Sequence, residues 1–440
     1  LEAPNLVNLS SLPSTVFSRG DPWLAPGATQ TIGNNVHAFA NLRVPDGLNA
    51  EDESQCGDNL SLDFRACTTA PGQFDYGYDH AQGPLASKAQ AATSVVNLFY
   101  VTNWLHDWFY DAGFDEAAGN AQASNLGRGG LSGDALVVQA LDFDGTNNAN
   151  MLTRADGAPS RMRMYRYTNA APVQTTVLAP TAIAGSYAVG KASFGPQAYD
   201  VSGDVVAAQD GSRNPSYACE PITTAVRDKI ALVDRGICAF TVKVMNAQLA
   251  GARAVVVVDN VPGAVGGMTG ADPSITIPAI RLSQADGAVW KTRLTAGDTV
   301  NLRMQSNVAI DRSSALDNGI IAHEWGHFIS NRLIGDANGL SPNHASGLGE
   351  GWGDFHALLM MVTAADRHLP GNGEYQGAYT AGSYSMAPVI GPGVDSGDSA
   401  LFGIRRYPYS TDTAKNPLTL KHIADNEPLP STAPRNLSVG

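Results

Sequence analysis

Residues 318–330 read Asn-Gly-Ile-Ile-Ala-His-Glu-Trp-Gly-His-Phe-Ile-Ser, placing two histidines four positions apart inside an apolar stretch. Four positions is about one turn of α-helix, so His323 and His327 project from one face and can reach a single metal ion. Glu324 sits one position round, close enough to take a proton from water on that ion. The HExxH spacing also arises by chance, so alone it is half a site. A catalytic zinc needs three protein ligands and one open position. That requirement constrains the fold strongly, because a second element must deliver the third donor to the same face.

The next helical stretch offers one. Gly347-Leu-Gly-Glu350-Gly-Trp-Gly-Asp354-Phe carries a glutamate 23 residues after His327, room for the chain to turn and pack a second helix antiparallel to the first. Asp354, four positions on, shares a face with Glu350. It can accept a hydrogen bond from His323, fixing its tautomer and raising its basicity. The plain alternative is a helix start with two surface acids. Against it stand Gly351 and Gly353, since glycine costs about 1 kcal/mol in a helix and so points to backbones in close approach. The expectation is helices over 316–333 and 347–364, with His323, His327 and Glu350 as metal ligands and Asp354 behind them.

Around these helices the texture changes along the chain. Residues 1–85 are rich in Gly, Pro, Asn and Asp, which reads as strands and loops, and 86–110 form a long helix without Gly or Pro. Residues 134–167 return to strands. Between 175 and 308, strand, helix and strand follow one another, with the continuous apolar run Ala254–Val258 of a strand covered on both faces. A compact α/β module is expected there. The fold class is α+β: a discontinuous metal-site domain, 1–174 and 309–440, interrupted by an inserted module at 175–308.

Composition narrows the partners. Lys and Arg total 28 against 41 Asp and Glu, a formal charge of −13, which argues against a nucleic-acid backbone or an anionic membrane as partner. No apolar run approaches the roughly 20 residues needed to span a bilayer. Leu1-Glu2-Ala3-Pro4 shows no signal-peptide pattern, and a secreted enzyme would already have lost one. Cys56, Cys67, Cys219 and Cys238 fall into two local pairs without CxxC spacing. Either they are buried thiols, or they form two disulfides, each worth about 3 kcal/mol by loop closure, in an oxidising, extracellular setting.

The phrases HEWGHFISNRLIGD and GEGWGDF resemble the fungalysin-type metallopeptidases, relatives of thermolysin among the Glu-zincins. The resemblance continues through HDWFYDAGFDEAAGNAQ (106–122), NLGRGGLSGDALVVQALDFDGTNNANM (125–151), RMRMY (161–165) and GIRRYPYSTD (403–412). It implies a thermolysin-like zincin domain with one zinc on His323, His327 and Glu350, Glu324 as general base and Asp354 as the carboxylate behind a ligand. It also implies a secreted endopeptidase whose zinc-bound water, activated by Glu324, hydrolyses protein and peptide substrates. Substrate would lie as an added β-strand. Asn147-Asn148-Ala149-Asn150 resembles the thermolysin-group segment that holds the peptide, with Asn148 and Ala149 at its centre. Arg405 resembles the arginine that binds the substrate carbonyl beyond the scissile bond. The plain alternatives are an Asn-rich turn and a solvated basic pair, Arg405-Arg406.

Residues 175–308 resemble a protease-associated (PA) domain, on VRDKIALVDRGICAFTVKVMNAQLAGARAVVVVDN and ITIPAIRLS. Such a domain implies substrate binding or a stabilising lid, with no chemistry of its own. Two departures from the family pattern matter. Residues 328–349 hold no tyrosine where thermolysin has one, and the sequence ends at Gly440 before a helical segment whose histidine steadies the oxyanion. Losing one such donor costs about 100–1000-fold in rate. The expectation is a processed form, with its own cleaved propeptide or C-terminal fragment as a further partner. The alternative function is a catalytically weak module that binds proteins or peptides. Calcium is a second candidate metal, because Asp142, Asp144 and Asn147 alternate as in a calcium loop, though without its closing glutamate. His106 reads as a core residue of the aromatic helix, and His344 and His422 as loop surface.

Overall fold

The computed structural model describes residues 19–48, 52, 56, 59–168, 173–263, 265–306, 310–340, 343–386, 403–405, 407–424 and 427–428. Arg406 and the terminal Leu437–Gly440 therefore lie outside the described residues. The chain packs as two units, Leu1–Asn169 with Ile310–Gly440, and Ala170–Ala309. The first unit begins with β1 (Val36–Ala40), α1 (Lys88–Asp111), β2 (Leu136–Ala140), β3 (Ala149–Leu152), β4 (Arg161–Met164) and β5 (Arg166–Tyr167). The second holds β6 (Val173–Ala179), β7 (Gly185–Ser186), β8 (Val189–Lys191), β9 (Tyr199–Ala207), β10 (Ile230–Asp234), α2 (Phe240–Leu249), β11 (Ala254–Val258), β12 (Ala279–Leu282), α3 (Gln284–Thr295) and β13 (Asn301–Ser306). The chain returns to the first unit with β14 (Arg312–Ser313), α4 (Asn318–Leu333), α5 (Asn343–Met361) and the short α6 (Ser383–Met386).

In the first unit, β1, β2 and β4 run parallel and β3 pairs antiparallel with β4 at the sheet edge, in the order β1-β2-β4-β3. α1 begins where Ser87 accepts a hydrogen bond from the Gln90 amide, satisfying one of the free donors of the first turn. Leu98, Phe99 and Leu105 of α1 share one core with Val36 and Val138 of the sheet and Trp325 and Phe328 of α4. The two-residue strands β5 and β14 pair antiparallel.

The second unit is built on an eight-stranded sheet in which β9, β10, β11 and β12 run parallel. β11 is buried at all five positions, and its side chains alternate between two cores. Val255 and Val257 pack with Val244 and Ala247 of α2, while Ala254, Val256 and Val258 pack with Trp290 of α3. The four cysteines pair as Cys56–Cys67 and Cys219–Cys238, which removes the free-thiol alternative.

α4 starts two residues later than the expected 316. Ser314–Leu316 form a 3-10 turn, and Asp317 then caps the helix through the Ile320 amide. α5 is shifted toward the N-terminus of the expected 347–364. It begins at Asn343, and Thr363 with Asp366 opens a separate 3-10 turn by a reciprocal capping box. The two helices run antiparallel: Gly319 lies beside Met361, His323 beside Asp354 and His327 beside Glu350.

The approach is tight at Gly326, where an added Cβ would lie 2.9 Å from His356 Nδ1 and 3.0 Å from Gly353 Cα. Inside a helix alanine normally gains about 0.5–1 kcal/mol over glycine. Here the clash should reverse the sign, so Gly326→Ala is expected to lower the melting temperature. A raised melting temperature would contradict the close approach.

Candidate metal centre

The antiparallel pair brings three donors into one cluster. Ligand atoms of His323, His327 and Glu350 all lie within 4.8 Å of one another, and among the described residues no other group of His, Cys, Asp or Glu does this. His323 Nε2 is 3.3 Å from one Glu350 oxygen and His327 Nε2 is 3.5 Å from the other. His323 Nδ1 faces Asp354 Oδ1 at 2.7 Å. A carboxylate accepts and cannot donate, so Nδ1 carries a proton, and in the neutral ring Nε2 then holds the lone pair that a metal would take. Gly353 makes room for that ring, because a Cβ there would fall 2.6 Å from His323 Nδ1.

Charge around the cluster is strongly coupled. Burial disfavours the His323 cation, yet hydrogen bonds to Asp354 and Glu350 outweigh it and push the imidazole up to about 9. Hydrogen bonds from both histidines hold Glu350 well below the usual carboxylate range. Burial would raise Asp354, but His323 and Arg405 hold it down at about 2. Glu324 moves the other way: burial raises it despite the nearby histidines. Its Oε2 is buried without a hydrogen-bond partner among the described residues. Two imidazoles, a carboxylate and an unpartnered buried carboxyl oxygen are the donor set that a catalytic zinc and its water require.

The sequence profile of the fungalysin metallopeptidase family matches residues 9–432. The chain belongs to that family. It is 39% identical over 155 residues to extracellular metalloproteinase 5 of Arthroderma otae, a match covering 34% of this chain and 22% of that protein. It is 40% identical over 153 residues to extracellular metalloproteinase 1 of Trichophyton equinum, covering 34% and 22%. These matches thus span about a fifth of the relatives' own length. Among solved structures, an aminopeptidase from Aneurinibacillus sp. strain AM-1 shares 18% identity over 38% of this chain and 35% of its own, with a TM-score of 0.28, too low to bear on fold or function. Membership of a metallopeptidase family implies a catalytic metal, and the His323–His327–Glu350 cluster fits one.

A cleft of about 380 Å³ in the first unit opens over this fungalysin cluster. Asn148, Ala149 and Asn150 line it from the edge strand, Glu324 and Glu350 from the helices, and Arg405 from the segment after residue 402. His323, His327, Glu350, Glu324, Asn148, Ala149 and Arg405 therefore reach one cleft, and Asp354 lies behind His323. Asn148 is exposed, whereas Asn147 is tied down, its amide side chain bonded to Thr168. Arg405 is engaged more than expected. Its Nε and Nη2 bond Asp354 at 2.6 and 2.8 Å, and Nη2 lies 3.4 Å from Glu350; Nη1 makes no hydrogen bond among the described residues.

Sequence reasoning missed several residues of the site. Tyr409 donates to Asp354 Oδ2. Tyr167, Ile320 and Ile404 also line the cleft, and burial with the nearby Asp317 and Glu324 charges raises the Tyr167 phenol well above its ordinary range. Spacing could have found Ile320, one turn before His323; nothing local marks Tyr167. Asp142 accepts from Asn41 Nδ2 at 2.7 Å and from the Asp144 amide, and Arg163 bonds Asp144. His106 is buried with Nδ1 3.0 Å from Asp107, His344 is exposed and His422 is half-buried.

The raised His323 value has a consequence for the metal-free protein. Its folded value, about 9, lies above the unfolded value of about 6.5, so its stabilising contribution is complete below 6.5 and lost as pH rises through 9. The melting temperature of metal-free protein is expected to fall between about pH 6.5 and 9.5, and to fall less in His323→Gln. Identical profiles for the two would contradict the coupled cluster.

Proposed function

We propose that this chain is the catalytic part of a secreted zinc endopeptidase that hydrolyses peptide bonds in protein substrates. The observation that carries the reading is the pairing of a His323–His327–Glu350 cluster with a buried, unpartnered Glu324 carboxyl at the floor of an open cleft. Zinc held by the three ligands would polarise the scissile carbonyl and acidify water at the site. Glu324, whose proton affinity burial raises, accepts the proton of the attacking water and returns it to the leaving amine. Asp354 orients His323 through Nδ1, so that Nε2 is the nitrogen turned to the metal position.

The edge strand supports the substrate assignment. Among the described residues β3 has a strand partner on one side only, so its outer backbone groups and the exposed Asn148 amide are available to an extended peptide. Ala149 sits at the start of that strand beside the cleft. Arg405 can offer Nη1 to a substrate carbonyl while its other nitrogens stay on Asp354. Ile320, Ile404 and Tyr167 give the cleft an apolar wall suited to a substrate side chain. The two disulfides, and relatives named as extracellular, support an extracellular setting. The second unit, Ala170–Ala309, is assigned as a PA domain on its sequence phrases, with the parallel sheet and covering helices α2 and α3 in support.

Glu324→Gln separates base from ligands. The variant is expected to keep one equivalent of zinc and to lose at least about 100-fold in casein hydrolysis. A variant that hydrolyses casein at the wild-type rate would overturn the assignment of Glu324, and wild-type protein that holds zinc without cleaving would favour a binding module instead.

A further inference from the structure

Asp354 receives more donors than the partner of one histidine needs. Its side chain is 1% exposed. Oδ1 is 2.7 Å from His323 Nδ1 and 2.8 Å from Arg405 Nη2, while Oδ2 takes Arg405 Nε at 2.6 Å and the Tyr409 hydroxyl. The plane of the carboxylate is therefore set by three residues on two separate segments. Tyr409 is the one of these donors with no other place in the site. Its backbone is pinned by a two-way bridge to Tyr379, with N–O distances of 2.8 Å in both directions. The Tyr379 hydroxyl is in turn held by Asn372 Nδ2 at 2.9 Å.

We propose that Tyr409 is a positioning residue for the metal centre, one that fixes the His323 imidazole and the Arg405 guanidinium through Asp354 and so sets the affinity for zinc. This rests on the reading of His323, His327 and Glu350 as zinc ligands. Without the phenol, Oδ2 keeps Arg405 alone, and the Asp354–Arg405 pair is free to swing together. Arg405 Nη2 already lies 3.4 Å from Glu350 Oε2. A guanidinium released toward that oxygen competes with zinc for the third ligand, while His323 loses the fixed acceptor that orients its ring.

The test titrates metal-free, full-length chain with zinc against a chromophoric chelator. Wild type is expected to bind one zinc, and Tyr409→Phe to bind it about 10–100-fold more weakly. Tyr379→Phe, which removes the hydroxyl of the residue bridged to Tyr409 without touching Asp354, should match wild type. In the Asp354→Asn background the effect of Tyr409→Phe should shrink to within about threefold, because the two act through one bond. Wild-type affinity in Tyr409→Phe, or an undiminished loss in the Asp354→Asn background, overturns the proposal. If Tyr409→Phe does not fold, Tyr409→Gln, which keeps a donor, replaces it: retained affinity supports the bond, and a loss as large as that of Asp354→Asn overturns it. Wild type that binds no zinc at all would instead overturn the ligand reading beneath it.

Discussion

For His323 to stand between α4 and α5 and face both Glu350 and Asp354, the two helices must come closer than ordinary side chains permit. In this chain the approach is made at Gly326 and Gly353, where Cβ atoms would collide with His356, with the facing backbone and with the His323 ring. Glycine inside a helix is costly by about 0.5–1 kcal/mol. The site accepts that cost twice, at the two positions that let His323 stand between α4 and α5. The antiparallel register then follows, with His327 opposite Glu350 and Gly319 opposite Met361.

The same closeness dictates the electrostatics. A buried carboxylate is tolerated only when its oxygens are satisfied, and Asp354 meets that condition with four donor contacts. Glu324 does not meet it: its Oε2 has no partner among the described residues, and burial raises its proton affinity. Two buried carboxylates on facing helices thus differ by environment. One is locked as a permanent anion that orients a ring. The other keeps a raised proton affinity, which suits the general-base role proposed for it.

Much of this was legible in the sequence because the controlling signals are local. His323 and His327 are one turn apart, Glu350 and Asp354 share the next helix, and the glycines between them are conspicuous. The run Ala254–Val258 likewise announced a strand buried on both faces, as the two cores on either side of β11 bear out. What stayed hidden depends on contacts between distant segments. Tyr409 reaches Asp354 across 55 positions, and no periodicity encodes that meeting. Arg405 was read as facing substrate, yet two of its nitrogens serve Asp354 first. The start of α5 was misplaced by four residues because its first turn, Asn343-His-Ala-Ser, lacks the apolar spacing by which helices are read.

The most direct test of the central claim is the position and coordination of zinc in the folded protein, by anomalous diffraction at the zinc edge together with X-ray absorption. The account predicts one ion in the cleft, bonded to Nε2 of His323 and His327 and to the Glu350 carboxylate at about 2.0–2.2 Å. Zinc found at another set of residues, or an ion at the histidines with Glu350 turned away from it, would contradict the account.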